Sequence, residues 1–158
     1  MARALIIGYG NTLRGDDGVG RIVAETLQQR LADREHVQVL SVHQLTPELA
    51  ADLAEAGRVL FIDASSEGEP GDIRLLPLPA PDPSDATPGR PLGMGHSLSP
   101  LDLLSLSLSL YGQEPRADLL TVSAREFGHE EILSGAVRAV LQIIIQQAIE
   151  WCDKAVDP

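Results

Sequence analysis

The chain has 158 residues, enough for one ordinary domain with a full hydrophobic core and too few for two. Its 12 Lys and Arg against 23 Asp and Glu leave a formal net charge of −11, which repels phosphate backbones and anionic lipid and argues against nucleic-acid or membrane partners. Aromatic residues make up only 3%, so the core must be built from Leu, Ile, Val and Ala, and the single cysteine, Cys152, excludes an internal disulfide and a CxxC metal site.

The chain opens with RALIIG (3–8), a short apolar run stopped by glycine that reads as a buried strand. It is too short for a signal-peptide core or a membrane span. The other long apolar stretch, Ala136 to Ile149, is broken by Arg138, Gln142, Gln146 and Gln147, so a cytoplasmic location is expected. From Val19 to Leu31 the apolar positions Val19, Ile22, Val23, Leu27 and Leu31 form the stripe of an amphipathic helix. VQVLSV (37–42) is a second strand. Thr46-Pro47 starts a helix expected to run to about Ala56 and to stop at Gly57. RVLFID (58–63) is a third strand, apolar through its middle as if covered on both faces.

Gly68, Pro70 and Gly71 make a turn, after which DIRLL (72–76) returns as a hairpin. Six prolines between 77 and 95 predict a long loop with no regular structure. Ser99-Pro100 starts a helix over 101–112: its Leu-Ser alternation fits a strand period equally well, but the cap and the closing Gly112 favour a helix. DLLTVS (118–123) is the last strand, and a helix from Glu130 to about Asp153 closes the chain. This alternation predicts one α/β domain over 1–158, a three-layer α/β/α sandwich. Its five-stranded sheet would be mostly parallel with one antiparallel strand, and its sites would lie at the carboxyl ends of the strands.

The chemistry-bearing residues fall at those ends. GYGNTLRGDDGVG (8–20) joins the first strand to the first helix, but the dinucleotide fingerprint needs glycine where Leu13 stands, and a Walker GK[ST] is absent. Asp16 and Asp17 would moreover repel a pyrophosphate at the helix start. One aspartate suffices to cap a helix, which leaves the other free. Asp63 ends the third strand, and His96 follows the proline-rich loop. His129-Glu130 begins like HExxH, but Leu133 replaces the second histidine; GxSxG is absent, and Cys152 has no histidine near it in sequence. Two carboxylates and an imidazole on one rim can hold a divalent metal with positions left open. Two close carboxylates can instead share a proton and activate water.

In order and spacing, GYGNTLRGDDGVG, then FIDAS followed by PGDIRLL, then GHSLSPLDLL resemble the hydrogenase maturation protease family over about residues 3 to 150. VHQLTPELA (42–50) is similar to a subgroup of it. The resemblance implies an endopeptidase of aspartic type that trims the C-terminal extension from a [NiFe] hydrogenase large-subunit precursor once nickel is installed. It implies that Asp17 and Asp63 are catalytic and that Asp17, Asp63 and His96 contact the metal, with Asn11, Asp16 and His43 in support. Some members carry Glu at the position of Asp17, a longer reach than this chain has. Nickel would arrive with the substrate, and no tightly bound metal is expected in the free protein. Two other readings share these residues: a nickel-checking chaperone that releases the precursor uncut, and a small α/β amide hydrolase.

Overall fold

The computed structural model describes residues 3–81, 98–124 and 133–154. Five strands form one sheet: β1 (Arg3–Tyr9), β2 (Val37–Val42), β3 (Ala56–Ser65), β4 (Ile73–Pro77) and β5 (Arg116–Ser123), in the order β2-β1-β3-β5-β4. The pairs β1–β2, β1–β3 and β3–β5 are parallel, and β4 runs antiparallel on the outer side of β5. Helices α1 (Val19–Arg30) and α4 (Gly135–Lys154) cover one face; α2 (Leu49–Glu55) and α3 (Pro100–Tyr111) cover the other. The three layers and the single antiparallel strand are those expected from the alternation of elements.

Pleating divides the core in two. Ile6, Leu60 and Leu120 point to α1 and α4, where they meet Val23, Leu27 and Ile144. Leu5, Ile7 and Phe61 point to α2 and α3, where they meet Leu53, Leu103 and Leu104. Buried on both sides, β1 and β3 carry continuous apolar runs rather than alternation. Truncating one of these side chains, such as Leu103, to Ala would cost about 2–5 kcal/mol.

The local signals explain most boundaries. Ser99 accepts from the Asp102 amide at 3.1 Å, and the Asp102 carboxylate accepts from the Ser99 amide at 3.0 Å, a reciprocal capping box that settles α3 as a helix despite its Leu-Ser alternation. Gly112 closes that helix at φ 68°, a left-handed conformation that costs glycine nothing.

Five expectations are corrected. β4 forms no hairpin with β3, because β5, which comes later in the chain, lies between them. Gly57 does not cap α2: it is the extra residue of a bulge, since Arg3 pairs with Ala56 and Ala4 with Arg58. Residues 46–48 make a tight turn, with the Thr46 and Pro47 carbonyls accepting from Leu49 and Ala50, so α2 starts at Leu49 rather than Thr46. Leu133 and Ser134 precede α4, which starts at Gly135 rather than Glu130. Pro77, expected in the loop, is the last residue of β4, tolerated because an edge strand has one side with no donor to supply. The rest of that loop from residue 82, His96 and His129 lie outside the described residues. No described helix is long and apolar enough to cross a membrane.

Candidate active site at the carboxyl ends of strands 1 and 3

The order 2-1-3 makes the crevice between β1 and β3 a topological switch point, where the chain leaving each strand turns to opposite sides. Three chemistry-bearing side chains are placed there. Asp63 follows the buried run Val59–Ile62 on β3, and the β1–β3 register, with Gly8 beside Ile62, brings Tyr9 beside Asp63 on the same face of the sheet. Asp17 enters from a one-turn 3-10 helix, Gly15–Gly18, which leads directly into α1.

Asp17 is half-buried, and its Oδ2 accepts from the Asn11 amide at 2.9 Å. Asn11 Oδ1 in turn accepts from the Leu13 amide at 2.9 Å, so the loop after β1 is folded around the aspartate. Gly10 is required for this. It sits at φ 143°, and a Cβ there would lie 1.9 Å from the Asp17 carbonyl oxygen. Asp63 Oδ1 accepts from the Ala64 amide at 2.8 Å.

The electrostatics follow from burial. Desolvation pushes the Asp63 carboxyl up from its ordinary 3.8 to about 6. The Ala64 amide and the Tyr9 hydroxyl work against that rise by hydrogen-bonding the charged form, and the negative charge of Asp17 adds to it. Tyr9 is driven far above the ordinary tyrosine range, first by burial, then by the charge and hydrogen bond of Asp63 and the charge of Asp17. It therefore stays a protonated donor. Its ring packs edge-on against Phe61, with centroids 6.5 Å apart and planes at 82°.

The structure thus brings Asp17 and Asp63 into one electrostatic unit and adds Tyr9, which sequence reasoning missed. An aromatic residue in an apolar strand reads as core, and only the β1–β3 register shows what its hydroxyl reaches. Asn11 supports Asp17 directly. Asp16 has a different role from the capping of its own helix: α1 has no side-chain cap. Asp16 is 1% exposed, and its Oδ1 accepts from the Ser134 amide at 2.6 Å, just before α4. His43 is exposed beyond the end of β2, and no hydrogen bond or ion pair joins it to either aspartate among the described residues. His96 lies outside the described residues, and among the described residues no three His, Cys, Asp or Glu side chains are grouped to hold a metal.

A second concavity, about 240 Å³, is lined by Arg58, Pro77, Leu104 and Arg116 among others. It lies at the amino end of β3, and the five residues from Arg58 to Asp63 put it about 16 Å from the aspartates. It contains no histidine and is not this site.

No family model matches the chain. It is 28% identical over 153 residues to hydrogenase 2 maturation protease of Escherichia coli strain K12, covering 93% of this chain and 88% of that protein. This likeness, over nearly the whole of both chains, supports the hydrogenase maturation protease family. Solved structures of that family share the fold. Hydrogenase maturating endopeptidase HybD from E. coli aligns with a TM-score of 0.73 and 23% identity over 98% of this chain and 94% of that one. The [NiFe] hydrogenase maturation protease HycI from Thermococcus kodakarensis KOD1 aligns with a TM-score of 0.70 and 23% identity over 94% and 91%.

Proposed function

We propose that the chain is an endopeptidase that processes a hydrogenase precursor. It would remove the C-terminal extension of a [NiFe] hydrogenase large subunit after nickel insertion, with Asp17 and Asp63 as the catalytic carboxylates. The observation that carries this reading is the pairing of the two half-buried aspartates at the switch point, with desolvation pushing the Asp63 carboxyl up to about 6. A carboxyl raised to about 6 can take a proton from water at neutral pH, and a second carboxylate beside it completes an acid–base pair.

The substrate in this reading brings its own nickel, held by its thiolates. Asp17 and Asp63 supply hard oxygen donors suited to completing a divalent first-row coordination sphere, and His96 would supply the nitrogen. Recognition would then depend on metal insertion, because the three side chains have little to bind in a nickel-free precursor. The bound scissile peptide is brought beside the carboxylates, so positioning supplies much of the barrier reduction. Water attack is assisted by the carboxylate of Asp63, and the amide nitrogen leaves with the proton that the pair has gathered.

The test is a cleavage assay. Purified protein is mixed with nickel-loaded and nickel-free precursor, and loss of the tail is followed by mass spectrometry beside Asp17→Asn and Asp63→Asn. Cutting of the loaded precursor alone, lost in both variants, is the expected result. Nickel-dependent binding without cutting would overturn the protease reading in favour of a chaperone.

A further inference from the structure

Asp63 is an aspartate with few restraints. Among the described residues its only backbone donor is the Ala64 amide, 2.8 Å from Oδ1. The terminal torsion of an aspartate is broad, so one hydrogen bond does not fix the plane of the carboxylate. A group that takes a proton from water needs that plane held within about 10–20° of its working orientation.

Tyr9 is the neighbour able to hold it. The parallel register places it next to Asp63 on the adjacent strand, and the edge-on contact with Phe61 restrains its ring. Its hydroxyl lies close enough to pull the Asp63 carboxyl down, and Asp63 in turn pushes Tyr9 up. Phenylalanine would fill the same apolar space without burying a hydroxyl, and an unpaired hydroxyl there would be costly. The hydroxyl is therefore explained by its partner rather than by packing.

We propose that Tyr9 is a positioning residue for the reaction: its hydroxyl and the Ala64 amide together hold the Asp63 carboxylate in the single orientation that faces Asp17 and the bound peptide. The proposal rests on the protease reading given above. Tyr9 itself touches no reacting atom and acts through Asp63. Losing the hydroxyl leaves both aspartates and the fold in place, and costs chiefly the turnover step.

The experiment compares wild-type protein with Tyr9→Phe, which keeps the ring on Phe61. Steady-state cleavage of the nickel-loaded precursor is expected to show kcat reduced about 10-fold or more, with KM raised by a smaller factor, since small misplacements of a reacting group carry penalties of up to about 100-fold. The thermal midpoint of the variant should not fall. Crystal structures of both free proteins supply a readout independent of cleavage. Asp63 should occupy one side-chain orientation in wild type and more than one in Tyr9→Phe. Unchanged kcat, or a raised KM with unchanged kcat, would overturn the proposal. So would a single shared Asp63 orientation in both crystals. Wild-type protein that cuts no loaded precursor would sink the protease reading instead, and the Asp63 orientations would still decide whether Tyr9 holds the carboxylate.

Discussion

Asp16 and Ser134, 118 residues apart in the chain, are joined by a 2.6 Å hydrogen bond from the Ser134 amide to Asp16 Oδ1. This bond couples the segment that carries Asp17 to the segment that enters the last helix. Asp16→Ala strands the Ser134 amide and should cost about 1–3 kcal/mol in urea unfolding. Asp16→Asn keeps an acceptor and should cost less. Equal losses for the two variants would mean that the bond contributes little.

Asp63 predicts a stability that depends on pH in the direction opposite to that of most carboxylates. Its folded value, about 6, lies above its ordinary 3.8, so the folded protein holds the proton more tightly than the unfolded chain. The resulting stabilisation is fully present below 3.8 and is lost as pH rises through about 6. Above that, the buried charge costs about 3 kcal/mol. Asp63→Asn should therefore melt about 5–10 °C above wild type at pH 7.5. The two should converge towards pH 4. A constant difference across that range would rule out a raised Asp63.

Removing the charge of Asp17 should lower the titration midpoint of Asp63, because the like charge is one of the causes that raise it. The drop should stop well short of the ordinary 3.8, since burial is the larger cause. Carboxyl carbon NMR of Asp17→Asn across pH 4 to 8 reads this directly. An unmoved midpoint would separate the two aspartates electrostatically and weaken their assignment as a pair.

Gly10→Ala should damage the site and the fold together. Its Cβ would meet the Asp17 carbonyl oxygen at 1.9 Å, at a φ of 143° that other residues rarely adopt. A loss of more than about 3 kcal/mol is expected, or no soluble protein at all. Gly112→Ala is the control. That glycine also has positive φ, at 68°, but nothing lies within 4 Å of the added Cβ. It should cost only about 1–2 kcal/mol. Similar losses at both positions would show that backbone strain, and not the approach to Asp17, governs Gly10.

The reach of sequence reasoning can be traced through particular residues. The layers were legible because apolar strands alternate with amphipathic helices, and α3 was resolved by Ser99 and Gly112, whose chemistry is local. The partner of β4 was not legible. Any apolar edge strand after a turn reads as a hairpin, and only the pairing of Ile73 with Val122 shows otherwise. Gly57 carried the signal of a helix stop, which a bulge shares. At the site, Asp17 and Asp63 stood out as acidic residues at element boundaries. The partner of Asp16 lies across the whole chain, and the reach of Tyr9 depends on strand register, so neither is written in local spacing.

The place of β5 has a consequence for biosynthesis. Residues 3–65 contain β1, β2 and β3, which pair with one another and carry both aspartates. β4 is made next, but its partner in the finished sheet, β5, emerges some distance later. A nascent chain halted before residue 116 would therefore hold a formed switch point beside an open, apolar β3 edge. Such an edge invites pairing with other chains. Ribosome-bound fragments ending near residue 112 should aggregate on release, and those extended past Ser123 should not. The order of synthesis thus leaves the protein exposed during the interval in which its two switch-point aspartates are already assembled.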